Sequence, residues 1–207
     1  MSNDTPQPEP MTLSQFLLSA GLFEGGLLVA ALLFGWLIDV PPTRELTWSL
    51  SDFGLGLLAT IPMLLLLAAG WLSNSNGLQE IRKFLRDILG PLLSQCRMID
   101  ILFLALLAGV CEEVLFRGLL YQWGKAWNPT LAIIVVNVLF ALAHAVTPLY
   151  AWLAGLIGLY LTALMSADPT PNLLIPITAH AAYDLVAFYL VLWDYRTHQP
   201  TGNEESV

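Results

Sequence analysis

Three short runs in this chain combine residue types that can do proton chemistry. The first is Glu112-Glu113-Val114-Leu115-Phe116-Arg117, with paired carboxylates and a cation four residues after the second. The second is Phe140-Ala141-Leu142-Ala143-His144, with Asn137 two helical turns ahead of His144 and on the same side. The third is His180-Ala181-Ala182-Tyr183-Asp184, which again sets two titratable groups four apart. Carboxylates and imidazoles in reach of one another can take a proton from water, and fixed donors can hold a developing oxyanion. The same groups also line proton pathways, so both chemistries are open at this point.

The elements that carry these runs are strongly apolar. Of 207 residues, 57% are hydrophobic and only 12% charged, outside the usual balance of a soluble domain. A span needs about 20 mostly apolar residues. Six stretches approach that length: Leu13 to Ile38, Trp48 to Leu72, Ile99 to Tyr121, Leu131 to Val146, Leu149 to Met165 and Leu173 to Trp193. Between the second and third, Leu78, Ile81, Phe84, Leu85, Ile88 and Leu89 recur at helical spacing among charged residues, the pattern of an amphipathic surface helix over 77–97. The expected fold class is all-α: a polytopic transmembrane bundle of about six spans, with that surface helix between spans two and three. The expected organisation is a polar, disordered tail over 1–12, one helical domain over 13–195 with its motif-bearing core at 99–193, and a second disordered tail over 196–207.

The net charge of −8 comes with no basic face, which excludes nucleic-acid binding. Cys96 and Cys111 are too few for a disulfide framework and lack CxxC spacing. The N-terminus has no Lys or Arg before its first apolar stretch, unlike a secretory signal. Arg82, Lys83, Arg86 and Arg97 assign their segment to the cytoplasm, because basic residues in short connections resist translocation. With six spans both termini are then cytoplasmic, and the compact plan points to a bacterial cytoplasmic membrane.

The polar runs must face the bundle interior. Glu112 lies roughly 16 Å along its helix, near mid-bilayer. Ionised residues there cost about 2.5–3.5 kcal/mol each on insertion scales, more than the apolar neighbours return. Convergence of three helices on one pocket satisfies them together. Simpler readings stand beside this one. Glu113 and Arg117 also make sense as a buried ion pair locking helices, and an intramembrane histidine as a helix contact. Asn137 reads first as a packing residue, and Asp184 either takes part in the chemistry or orients His180. Tyr183, Phe140 and Cys111 read as pocket walls, while Glu24 and Asp52 reach an interface or cavity.

Glu-Glu-x-x-x-Arg, Phe-x-x-x-His and His-x-x-x-Asn/Asp on successive membrane helices resemble the CPBP family of intramembrane proteases, which includes the CAAX-processing Ras-converting enzymes and bacteriocin-linked proteins. The resemblance covers Ile99 to about Trp193; the first two spans carry no matching motif. It implies an intramembrane endopeptidase in which Glu112 and His144 activate water, and His180 and Asp184 sit where the oxyanion is held. Glu113, Arg117, Phe140 and Asn137 would support them. Asp184 departs from the pattern, since many members have Asn there and an amide can donate where an ionised carboxylate only accepts.

No cofactor follows from the residues. Zinc is an option under the family's metalloprotease label, and Glu112, His144 and His180 would then be its ligands. Water activated by glutamate needs no ion. The expected partners are the lipid bilayer and a membrane-associated protein or peptide substrate such as a leader peptide, an anti-sigma factor or a bacteriocin-defence component. Two other functions compete: a small transporter or proton relay, which predicts pH-driven flux without cleavage, and an idle membrane scaffold.

Overall fold

A computed structural model describes residues 11–166 and 170–198. Most of the two expected tails therefore lies outside the described residues. Helix α1 spans Leu13–Leu37, α2 Leu50–Leu72, α3 Asn76–Leu93 and α4 Met98–Glu113. The chain continues from α4 without a break as a π-helical segment, Val114–Tyr121, and one further turn, α5 (Gln122–Lys125). Helix α6 spans Pro129–Ala143, α7 Pro148–Ser166 and α8 Leu174–Thr197, so α8 runs two residues past the expected boundary at 195. No strand occurs among the described residues, and the all-helical polytopic fold follows.

Four of these helices, α1, α2, α7 and α8, are long and apolar enough to cross a membrane. Helix α6 differs from the expectation of a span from Leu131 to Val146. It has 15 residues, about 22 Å of helix against about 30 Å of hydrocarbon. Pro129 opens it behind the cap Asn128, whose side chain accepts from Leu131 N at 3.0 Å. It stops after Ala143, so His144 is the residue that closes the helix and not one inside a span.

Helix α8 is the hub, packing against α2, α3, α4 and α7. Two glycines let its neighbours approach closely. A Cβ on Gly109 of α4 would lie 2.8 Å from the Ala181 Cβ and 2.9 Å from the Ala181 nitrogen, and one on Gly56 of α2 would lie 2.6 Å from the Thr178 Cβ. Small residues at such crossings maximise packing where lipid supplies no hydrophobic drive. The result is that the N-terminal half of α8, including His180, is buried between α2 and α4.

Helix α3 has the expected amphipathic pattern, from Asn76 to Leu93. Leu85 and Leu89 pack with Val191 and Leu192 of α8. Its Arg82 donates to the carbonyls of Trp71 and Ser73, filling acceptors that the end of α2 leaves open. At the other end of the bundle Asn172 donates to Asp52 Oδ2 at 2.7 Å and to Thr47 O at 2.8 Å. Asn172 therefore ties the start of α8 to the α1–α2 connection at Thr47 and to the first turn of α2 at Asp52.

Candidate active site

Glu112 and Glu113 end α4, where the helix widens into the π-helical segment that carries Arg117. π-helical turns recur at functional sites. The two carboxylates are adjacent in sequence but meet different partners.

Glu113 and Arg117 are both fully buried. Arg117 Nη1 donates to Glu113 Oε1 at 2.9 Å, and His180 Nδ1 donates to the same oxygen at 2.8 Å. Arg117 Nη2 donates to Gly158 O at 2.7 Å and Nε to Thr162 Oγ1 at 3.4 Å. Thr162 in turn donates to Asn137 Oδ1 at 3.3 Å, and Asn137 Nδ2 donates to Ile133 O at 2.8 Å. This network joins α4, the π-helical segment, α6, α7 and α8. Gly158 belongs to it by necessity: a Cβ there would lie 3.1 Å from Arg117 Nη2 and 2.8 Å from Asn137 Oδ1.

Glu112 has no hydrogen bond from any described residue, although only 8% of its surface is exposed, and its Oε2 is buried without a partner. His144 Nε2 lies 3.7 Å from that Oε2. His144 Nδ1 lies 2.9 Å from Phe140 O. A carbonyl only accepts, so Nδ1 holds a hydrogen and Nε2 is the nitrogen turned toward Glu112. Phe140 fixes that ring. It stacks on His144 with centroids 4.5 Å apart and lies 4.5 Å from the Arg117 guanidinium carbon on a cation–π contact.

His180 is held on both nitrogens: Nδ1 by Glu113, and Nε2 facing Asp184 Oδ2 at 3.5 Å. Phe140, His144, His180 and Asp184 all line a cavity of about 360 Å³ that extends between α2, α3, α7 and α8. Glu112 does not line that cavity but lies against His144, which does, and Asn137 joins the cluster through Thr162 and Arg117, while Asp52 stands apart on Asn172. Glu24 of α1 is a further neighbour: its charge reaches Glu112, His180 and Asp184, and its Oε2 is also buried without a partner. Cys111 is a buried free thiol beside Glu24 and Glu112. Gly158, Thr162 and Tyr150 escaped the sequence reading. A Gly-x-x-x-Thr spacing on α7 is the trace of the first two; Tyr150 leaves none.

Residues 94–186 match the family model described as Type II CAAX prenyl endopeptidase Rce1-like. The match takes in the motif-bearing helices, a little under half of the chain. All three motifs lie within it, in agreement with the CPBP resemblance, while α1, α2 and α3 precede it. The matched family is one of intramembrane proteases, and four helices long and apolar enough to cross a membrane fit an integral membrane protein. Neither the comparison with curated proteins nor that with solved structures gave a match.

A metal is one reading of such a domain, and the donor set bears on it. Among the described residues no group of three His, Cys, Asp or Glu side chains could hold an ion. Both His180 nitrogens face carboxylates of the bundle, so the conditional set Glu112, His144 and His180 does not converge. The residues as arranged do not fit a three-ligand site, and no step below passes through a metal.

Proposed function

We propose that the Rce1-like domain hydrolyses a peptide bond of a membrane-associated protein or peptide with water activated by Glu112 and His144. The observation that carries this reading is the unpartnered, buried Glu112 Oε2 at 3.7 Å from His144 Nε2, which accepts in the neutral ring. That separation is too long for a direct hydrogen bond. In the reaction a water bridges the two groups, donating one hydrogen to each and keeping a lone pair for attack.

The water oxygen bonds to the substrate carbonyl carbon while one of its protons passes to Glu112, and the carbonyl π pair moves onto oxygen. When the C–N bond breaks, its electron pair stays on nitrogen, which takes the proton back. The products are a carboxylic acid and an amine. His144 orients the water, and the Phe140 O to Nδ1 bond keeps the ring in the accepting tautomer. His180 and Asp184 border the space for the carbonyl oxygen, and Glu113 with Arg117 fixes His180. The N-terminus lies on the cytoplasmic side of a bacterial membrane in this reading, because two span-length helices separate it from the basic α3.

Mass spectrometry of membrane peptides from cells carrying the native chain or Glu112→Ala tests the proposal. Peptide termini that depend on Glu112 are the expected result. An unchanged peptide pool, above all with pH-driven flux in vesicles, would favour the proton-relay function instead.

A further inference from the structure

The oxyanion side of this site has a shortage of donors. In the family pattern an amide can stand at position 184, but here Asp184 is a carboxyl whose ionised form only accepts. His180 does not make up the deficit, because Nδ1 is spent on Glu113 at 2.8 Å and Nε2 faces Asp184 at 3.5 Å. The backbone N–H groups around it belong to the interior of α8. Hydrolysis places a negative charge on the carbonyl oxygen, and an acyl-transfer site without a donor there forgoes a large part of its rate.

Two phenols line the same cavity as His144, His180 and Asp184: Tyr150 and Tyr183. Tyr150 stands in the first turn of α7, three residues after Thr147, whose Oγ1 accepts from Tyr150 N at 3.1 Å. That cap, followed by Pro148, sets the start of the helix and with it the direction of the ring. The hydroxyl of Tyr150 has no hydrogen bond to any described residue, so its donor is free for a ligand. Both Asp184 and Glu112 lie close enough for their charges to act on it. The electrostatic neighbours of Tyr183 are Tyr150 and Asp184, without Glu112. Both phenols share the cavity, and Tyr150 is the one on which the charges of Asp184 and Glu112 both act.

We infer that Tyr150 is a further catalytic residue, whose phenolic O–H donates to the carbonyl oxygen as the water attacks. This rests on the hydrolytic reading above. The electron pair displaced from the C=O bond collects on an oxygen that faces Tyr150. The phenol keeps its proton throughout, and the hydrogen bond strengthens as charge develops. When the C–N bond breaks, the carbonyl re-forms and the bond relaxes. A neutral donor suits this place, because a cation would pair with Asp184 and be lost to the substrate.

The test uses the full chain in lipid vesicles and an internally quenched peptide with a prenylated CAAX terminus, comparing native protein, Glu112→Ala, Tyr150→Phe and Tyr183→Phe. Tyr150→Phe is expected to lower kcat by about 10²–10³-fold, the usual cost of one oxyanion donor, with KM held within roughly twofold. Tyr183→Phe should keep most of the native kcat. A native kcat in Tyr150→Phe, a change confined to KM, or the large loss in Tyr183→Phe would each overturn the assignment. So would loss of the fold in Tyr150→Phe, since the hydroxyl would then serve the protein and not the reaction. Glu112→Ala separates the two levels. If Glu112 is dispensable or the native chain does not cleave, the hydrolytic reading falls and takes this role with it; if Glu112 is required and Tyr150 is not, this role falls alone.

Discussion

Glu112 and Glu113 share one helix end, and each has a buried Oε2 without a partner, yet the bundle bonds only Glu113 through its other oxygen. Glu113 Oε1 receives two donors, Arg117 at 2.9 Å and His180 at 2.8 Å, and the network behind it reaches α6 and α7. Glu112 receives none and faces His144 across 3.7 Å. A buried carboxylate that accepts charged donors is a structural investment, because removing a partner leaves the other charge stranded. A buried carboxylate left open weakens the fold and is retained where it does chemistry. The two nodes meet at Phe140, which touches Arg117 on one side and stacks on His144 on the other. The bonded node thereby sets the geometry of the open one.

The sharpest break of this comparison is Glu112→Gln. It should lower the rate by about 10³-fold or more, the upper part of the general-base range, while the unfolding temperature in detergent stays at or above the native value. A destabilised Glu112→Gln would mean that Glu112 is as structural as its neighbour. The opposite expectation holds for Arg117→Met. Stranding the Glu113 charge should cost about 3–5 kcal/mol, read as a fall in unfolding temperature and in folded yield. Adding Glu113→Gln should recover much of the stability but not the cleavage rate, because His180 Nδ1 then loses its carboxylate. Full recovery of rate in the double variant would sever the proposed link between the nodes.

Gly109 is the next lever, because it sets how near His180 comes to Glu113. Gly109→Ala puts a Cβ 2.9 Å from the Ala181 nitrogen, a contact that backbone must relieve. Overpacking of this kind costs about 1–3 kcal/mol, and the shift of α8 should lower kcat by about tenfold at similar KM. Unaltered activity would show that the α4–α8 distance is not critical.

The unequal roles of the two glutamates are only half legible in the sequence. The apolar runs mark the helices, because insertion demands about 20 apolar residues whatever the fold, and charged residues inside those runs must converge. Glu113 and Arg117, four apart, are readable as a pair on that basis. What separates Glu112 from Glu113 is not readable, because it depends on the close approach of α8 at Gly109 and on the end of α6 at Ala143. Asn137 and His144 are the only polar residues from Leu131 to Val146, and neither marks Ala143 as a helix end. The π-helical segment is equally silent, since Val114 to Tyr121 has the composition of ordinary helix. Asp52 reads as a candidate for a cavity, and only the fold brings Asn172 to it.

The mildest change addresses the one departure from the family pattern. Asp184 faces His180 Nε2 at 3.5 Å, beyond the length of a strong charge-assisted bond. If Asp184 only orients that ring, an amide of the same shape does the same through its carbonyl oxygen. It also adds an N–H₂ donor beside the substrate oxygen. Asp184→Asn should then keep cleavage of the CAAX peptide within about tenfold of the native rate, a difference of about 1.4 kcal/mol in the barrier. Loss of the whole Glu112-dependent rate would instead require a carboxylate at 184, and the open node would then include Asp184 beside Glu112 and His144. A rate above native would place the donor shortage itself among the limits on turnover, with the added amide sharing the load assigned to Tyr150.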